Sequence, residues 1–107
     1  MSEARILNDI MRAVGALPHV RIFRNSVGHA RDPVSGQHMK FGLAVGASDL
    51  VGIVKPRGRF IALEVKSAAG RLRPEQDAFL RMVVAMGGVA GVVRSVDEAL
   101  ALVEQAR

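Results

Sequence analysis

Two short, apolar, β-rich runs at residues 49–54 and 59–66 flank the tetrapeptide Lys-Pro-Arg-Gly at residues 55–58. Proline at the second position and glycine at the fourth are typical of a β-turn, so the whole segment is predicted to form a β-hairpin. A hairpin constrains the fold strongly, because its turn decides which residues of the two strands lie opposite each other.

The length of the turn leaves two registers open. In a two-residue loop Lys55 pairs with Gly58. That register places Asp49 directly opposite Glu64. In a three-residue loop, with the glycine in the left-handed conformation, Lys55 pairs with Arg59 and Glu64 moves to the opposite face of the sheet. Only the first register brings two carboxylates side by side.

Alternation along the second strand places Glu64 and Lys66 on one face, at the end of an otherwise apolar run. A carboxylate on each of two paired strands is repulsive unless a proton or a cation lies between them, and a hard divalent ion is the natural partner of such oxygens. The alternative interpretation is a weak ion pair between Glu64 and Lys66 at an exposed strand end.

The other elements follow from hydrophobic periodicity and from cap and turn residues. The pattern predicts a helix over 3–16, a strand over 19–25, a long polar loop over 26–48, a helix from Pro74 to about Met86, a strand over 89–93 and a final helix opened by the capping box at 95–98. The order is α-β-β-β-α-β-α. It predicts an α/β fold with a mixed sheet flanked by helices, since the strand after the Pro74 helix can return by a crossover.

Length and composition limit the class of protein. A chain of 107 residues that is half hydrophobic, with no repeat or linker, predicts one domain over residues 1–107. The absence of cysteine excludes disulfides and thiolate metal sites and fits a cytoplasmic protein. No apolar run approaches the roughly 18 residues needed to span a membrane, and no signal-peptide pattern opens the sequence, so neither a membrane nor export is expected.

The charge balance favours a polyanionic partner. Lysine and arginine number 15 against 10 acidic residues, and twelve of the fifteen are arginine, whose fork matches phosphate geometry. The polar stretch carries His29, Arg31, His38 and Lys40 and could contact a phosphate backbone. The three histidines lack metal-ligand spacing and are predicted to be loop or surface residues. A solvated basic surface is the alternative.

Two further polar residues are candidates for the same site. Glu3 falls on the apolar stripe of the first helix, together with Leu7 and Ile10, and Gln76 lies beside the stripe of the Pro74 helix. Each has an ordinary alternative, because acidic and polar residues are common in the first turn of a helix.

Three segments resemble the PD-(D/E)xK nuclease superfamily and, within it, the virus-type replication-repair nuclease (VRR-NUC) domain. These are Gly-Ala-Ser-Asp-Leu at 46–50, Ala-Leu-Glu-Val-Lys at 62–66 and Arg-Pro-Glu-Gln at 73–76. The similarity extends over nearly the whole chain, from Glu3 through residues 24–28 to 92–95. The usual Pro-Asp of the family is Ser48-Asp49 here. The resemblance implies a restriction-endonuclease-like core.

The resemblance also implies the site and its cofactor, a magnesium ion for which manganese would substitute. Asp49 and Glu64 correspond to the metal-binding carboxylates, the Val65 carbonyl to a further ligand, Lys66 to the lysine that positions or deprotonates the attacking water, Gln76 to a supporting glutamine and Glu3 to a residue that completes the metal shell. Contacts to DNA are expected from Arg24, Asn25, Lys40, Arg71 and Arg73.

The function that follows is a metal-dependent endonuclease acting in DNA repair on structured or branched DNA. Stand-alone members of the family resemble Holliday-junction resolvases and act as homodimers on four-way junctions, so a homodimer is expected. The alternative is a DNA-binding module that has kept the scaffold and lost catalysis, although none of the four motif side chains is missing. A small ligand-binding α/β protein is a third possibility, and it lacks a phosphate-cradling glycine motif.

Overall fold

The computed structural model describes residues 1–107 as three helices and six strands. The elements are α1 (Glu3–Gly15), β1 (Val20–Arg24), β2 (Gly28–Arg31), β3 (His38–Phe41), β4 (Leu50–Val54), β5 (Arg59–Val65), α2 (Pro74–Ala85), β6 (Val89–Val93) and α3 (Val96–Gln105). None of the helices is long and apolar enough to cross a membrane.

The main sheet has the strand order β1-β4-β5-β6. Strands β1, β4 and β5 pair antiparallel, whereas β6 returns parallel to β5 after the α2 crossover. The sheet is therefore mixed, and the predicted α/β class and the order of the seven predicted elements are confirmed.

The hairpin has the register that places Asp49 opposite Glu64. Leu50 pairs with Leu63, and the ladder continues to the pair Val54–Arg59. Gly58 does adopt the left-handed conformation, with φ 68°. The loop nevertheless spans all four residues 55–58, so the alternative register is wrong.

The two faces of the sheet carry different helices. Ile61, Leu63 and Val65 point into the main core, to which α1 and α3 also contribute. Ala62 points to the other face and packs in a smaller cluster with Leu80 of α2. Alternation along β5 thus holds as predicted, and its polar positions lie on the α2 side.

Glu3 does not share the buried stripe of α1, which corrects the prediction. Leu7 and Ile10 are buried, but Glu3 is exposed. The first turn of a helix accommodates an acidic side chain in solvent, where it interacts favourably with the unpaired N–H groups.

Residues 26–48, predicted as a loop, contain a separate two-stranded sheet formed by β2 and β3. A turn connects the two strands, in which the Asp32 carboxylate accepts hydrogen bonds from the Val34 amide and the Ser35 hydroxyl, at 3.0 and 2.7 Å. The strands have only four residues each and are almost wholly exposed. Each strand alternates apolar and basic residues, but each run has only four residues and buries no hydrophobic face, so it is a weak signal for a strand.

Gly52 lies at the centre of the sheet, where β1 and β4 approach closely. A Cβ atom at this position would meet the Arg21 carbonyl oxygen well inside van der Waals contact and would lie 3.2 Å from the Ile22 Cα. We expect Gly52→Ala to lower the free energy of unfolding by about 1–3 kcal/mol, measured by urea denaturation.

The matched control is Gly15→Ala, at the end of α1. A Cβ there has only ordinary contact, 3.9 Å from Ile22 Cγ2, and alanine favours helix. This variant should be as stable as the parent or more stable, by up to about 1 kcal/mol. Equal midpoints for Gly52→Ala and the parent would contradict the close approach of the two strands.

Candidate active site

The Asp49 side chain is fixed against β5. Its Oδ2 accepts a hydrogen bond from the Val65 backbone N–H at 3.0 Å, and its backbone carbonyl accepts one from the Asn25 N–H at 2.8 Å. Asp49 immediately precedes β4, and antiparallel pairing brings this end of β4 to the end of β5. The Asp49 carboxylate therefore lies beside the end of β5, where Glu64 and Lys66 are located.

Glu64 is a buried carboxylate with one unsatisfied oxygen. Only 2% of the residue is exposed. Its Oε1 accepts a hydrogen bond from Gln76 Nε2 at 3.2 Å and lies 3.9 Å from Lys66 Nζ. Its Oε2 is buried and receives no hydrogen bond from any donor group. Such an atom in a native fold calls for a proton or a cation beside it.

The electrostatics of the pair lead to the same conclusion. Burial first, and then hydrogen bonding with Asp49 and the charge of Asp49, raise the pKa of Glu64 to about 8. The positive charges of Lys66 and Arg73 oppose this shift. Because this pKa lies above neutral pH, we expect Glu64 to hold a proton when no cation lies beside it.

Gln76 orients Glu64 and also caps α2. Its Oε1 accepts a hydrogen bond from the Arg73 backbone N–H at 3.0 Å, which leaves its amide N–H groups to face Glu64. Only 6% of the residue is exposed. The glutamine is thus buried in the first turn of the helix, with both ends of its amide engaged.

Lys66 follows β5 and is also buried, with 10% of its side chain exposed. Its backbone N–H donates to the Val93 carbonyl at 3.1 Å and continues the pairing of β5 with β6. Its ammonium group has Glu64 as its carboxylate neighbour. A buried ammonium beside the Glu64 carboxylate is well placed to contact a phosphate oxygen or a water molecule.

A cavity of about 280 Å³ opens beside Asp49 and Gln76. Arg73, from the start of α2, and His29, from β2, also line it. The cavity gives solvent access to Asp49 and Gln76 from the side on which the β2–β3 hairpin lies.

Asn25 braces the loop that carries Asp49. Its Nδ2 donates to the Ser48 carbonyl at 3.1 Å, and its Oδ1 accepts from the Leu43 N–H at 3.3 Å. The sequence predicted a DNA contact for this residue, which stays a prediction. The contacts of its amide group make it a positioning residue for Asp49.

The remaining predicted residues do not converge on the carboxylates, apart from Arg73. Arg24, Lys40 and Arg71 are exposed. Arg73 is exposed as well, lies at the cavity and pairs with Glu75, with Nε and Oε1 3.2 Å apart.

Glu3 lies near the site without joining it. A Cβ atom on Gly70 would be 3.3 Å from both Glu3 Oε2 and Lys66 Cβ, so the Glu3 carboxylate lies beside the stem of the lysine. No three acidic or histidine side chains form a ready-made metal cluster. The structure thus brings together Asp49, Glu64, Lys66 and Gln76, with Glu3 apart from them.

Sequence reasoning named His29 as a loop or surface residue that could contact a phosphate backbone, but it did not place the residue at the active site. The histidine is exposed, but it lies on β2 and lines the cavity that holds Asp49. Only the pairing of β2 with β3 brings it there, and no feature near residue 29 predicted that pairing.

The donor set fits a hard divalent cation. It offers two carboxylates from neighbouring strand ends, one of which has a buried oxygen without a donor. Magnesium typically takes one or two protein carboxylates and keeps several water molecules, so a third acidic residue is not required.

Two of three comparisons with known proteins find a match. The sequence model of the VRR-NUC domain matches residues 16–97. Among solved structures, one described as a VRR_NUC domain is 20% identical, covers 100% of both chains and has a TM-score of 0.64. Another, described as a VRR_NUC domain protein, is 14% identical and covers 99% of this chain and 88% of its own, also with a TM-score of 0.64. No curated protein sequence matches the chain.

At these low identities the structural likeness establishes the fold. The family match also establishes the family of the chain, because it covers most of the sequence, including Asp49, Glu64, Lys66 and Gln76. This chain belongs to the VRR-NUC family of nuclease domains.

Proposed function

We propose that this protein is a magnesium-dependent endonuclease that hydrolyses phosphodiester bonds in structured or branched DNA, in the manner of a Holliday-junction resolvase. The observation that carries the proposal is the Oε2 atom of Glu64, which is buried and has no hydrogen-bond partner. Glu64 lies next to Asp49, and its other oxygen, Oε1, lies 3.9 Å from the Lys66 ammonium. Family membership supplies the nuclease class.

Asp49, Glu64 and the Val65 carbonyl would hold the magnesium ion, and manganese is expected to substitute. When bound, such an ion lowers the pKa of a coordinated water and neutralises charge on the phosphate. Glu3 is the proposed additional ligand. Its exposed carboxylate makes no hydrogen bond and lies beside Lys66, so its side chain can turn toward the site.

The protein residues would bind and orient the reacting groups. Gln76 keeps Oε1 of Glu64 engaged and so directs the other oxygen away from the helix. Lys66 would either donate to a phosphate oxygen or accept the proton of the attacking water, because its Nζ lies 3.9 Å from Glu64 Oε1 and makes no short ion pair. Both roles need the lysine at the strand end where β5 places it.

Substrate contacts are proposed for four exposed cations, Arg24, Lys40, Arg71 and Arg73, together with Asn25. The net charge of +5 favours a polyanion.

A homodimer is proposed on the basis of exposed apolar side chains beside α2. Leu43, Met82 and Met86 are 59%, 48% and 81% exposed, and they line a cavity of about 380 Å³. Contiguous apolar surface of this kind is typical of a contact with another protein, and a second copy would bring two active sites to the two strands of a junction.

Loss of either carboxylate should abolish cleavage. We expect Asp49→Asn and Glu64→Gln to lower the rate at least about a hundredfold, because each removes a charged ligand while preserving shape. Lys66→Met should have a similar effect. The measurement is cleavage of four-way junction, flap and linear DNA with magnesium, with manganese and with EDTA.

The control for these variants is Asp77→Asn, which removes an exposed carboxylate that pairs with Arg81 on the surface of α2. It should cleave like the parent. Cleavage by Asp49→Asn at the parental rate would overturn the assignment of the site. A parent protein that binds every DNA and cuts none, at enzyme excess, would favour the non-catalytic alternative.

Gln76→Ala should weaken the metal site without removing a ligand. The variant frees Glu64 to rotate, so we expect the cleavage rate to fall about 10–100-fold at low magnesium and to recover in part as the concentration rises. A magnesium titration of the cleavage rate measures both effects. A magnesium requirement equal to that of Asp77→Asn would contradict the orienting role.

The raised pKa of Glu64 predicts how stability depends on pH in EDTA. The folded protein binds this proton more tightly than the unfolded chain does, since the pKa is about 8 rather than the ordinary 4.5. The contribution of Glu64 to stability is therefore fully present below pH 4.5 and is lost as the pH rises to about 8. Glu64→Gln cannot ionise and should keep this stability.

We expect the two proteins to melt together near pH 4.5, and Glu64→Gln to melt at least about 4 °C higher than the parent above pH 8. Magnesium should raise the Tm of the parent at the higher pH and leave that of the variant almost unchanged. Differential scanning fluorimetry across the pH range measures this. A difference in Tm that does not change with pH would contradict the binding of a proton by Glu64 in the folded protein.

A further inference from the structure

The β2–β3 hairpin has one basic face and one apolar face. Partners across an antiparallel ladder share a face, and the register pairs His29 with Lys40 and Arg31 with His38. The opposite face carries the remaining positions of the two strands, which are Gly28, Ala30, Met39 and Phe41. His29, Arg31, His38 and Lys40 are all exposed, and we call these four residues the basic face.

The charges of the basic face are not neutralised within the protein. Neither Arg31 nor Lys40 has a carboxylate within ion-pair distance, although five ion pairs occur elsewhere. The nearest acidic residue in sequence, Asp32, has its carboxylate engaged in the turn with Val34 and Ser35. The Arg31 guanidinium contacts only His38 Nε2 on the same face, at 3.4 Å. Two cations without a carboxylate partner on an exposed ribbon are typical of a surface that binds phosphate.

The basic face leads into the active site. His29 is part of it and also lines the cavity that contains Asp49 and Gln76. The Phe41 ring packs over Gly28 on the reverse face, where a Cβ would lie only 2.7 Å from Cζ. This contact joins the two strands at the base of the hairpin, and Gly28 and His29 both line the cavity beside Asp49, so the base of the hairpin lies at the site.

The dimensions suit a nucleic-acid strand. Residues two apart on a strand are separated by about 6.6 Å, and each DNA strand carries one phosphate per about 3.4 Å of helix axis. Neighbouring phosphates of one strand are farther apart than this axial rise, because the backbone winds around the axis, so the step from His29 to Arg31 is comparable to the spacing of two successive phosphates. A two-stranded ribbon is also narrow enough to lie along a backbone or in a major groove.

We propose that the basic face holds two or three successive phosphates of one DNA strand and guides that strand to the Asp49–Glu64 site. This inference rests on the proposed nuclease function for its substrate, but it concerns binding and not the chemistry. It assigns a role to Arg31, His29 and His38, and it places Lys40 with them as part of one surface.

The experiment measures DNA binding in a background that cannot cut. Asp49→Asn protein is titrated with a fluorescent four-way junction and with a linear duplex, by anisotropy, from about 50 to about 200 mM NaCl. The test variant adds Arg31→Ala and Lys40→Ala. The matched control adds Arg12→Ala and Arg57→Ala, two exposed arginines without ion pairs, at the end of α1 and in the β4–β5 turn.

We expect the test variant to bind at least about tenfold more weakly and its log–log salt slope to fall by about 2, since each lost phosphate contact contributes about 0.9. The control should change the slope by less than about one contact. Equal changes in both variants would overturn the proposal, because the effect would then come from net charge alone.

A second readout is DNA cleavage by a variant that carries Arg31→Ala and Lys40→Ala but keeps Asp49. KM should rise at least about tenfold while kcat stays within about twofold, because the basic face binds substrate and does not touch the reacting atoms. A fall in kcat at unchanged KM would also overturn the proposal. If the parent cuts no DNA but the test variant still loses affinity and salt slope, the binding role stands and only the nuclease function fails.

Discussion

The buried contact between Glu64 and Asp49 is the interaction on which the rest of this site depends. A carboxylate that is 2% exposed, with one oxygen lacking a donor, is unfavourable in an empty site. The fold nevertheless maintains it through the register of β4 and β5 and through the hydrogen bond from the Val65 N–H to Asp49. Such an arrangement is stable when a proton or a cation neutralises the pair, which links the stability of the domain to the occupancy of the site.

Gln76 connects this contact to the helix that follows. One end of its amide completes the first turn of α2 and the other holds Glu64, so the start of the helix and the orientation of the carboxylate depend on one side chain. Polar residues buried in this way depart from the ordinary rule for a core. Such departures are expected where function requires them.

Much of the site followed from the hairpin alone. Alternation along β5 was enough to place Glu64 and Lys66 on one face, and the turn restricted the register to two choices. Local sequence did not decide between them, because Gly58 takes the left-handed conformation in a loop of either kind. The β2–β3 hairpin and the bracing role of Asn25 were beyond sequence reasoning, since both depend on how residues 26–48 pack. Glu3 was predicted to lie on the inward stripe of α1 because helical periodicity ignores the solvent exposure of a first turn.

Topology explains why four residues from three elements meet. Antiparallel pairing brings Asp49, before β4, to the end of β5, where Glu64 and Lys66 lie. Because β6 runs parallel to β5, the connecting helix must begin near that same end, and this places Gln76 beside the carboxylates. The start of α2 also directs its unpaired N–H groups and the positive end of its dipole toward this edge. The edge of the sheet where antiparallel pairing changes to parallel pairing therefore combines carboxylates for a cation with a helix N-terminus that favours a phosphate.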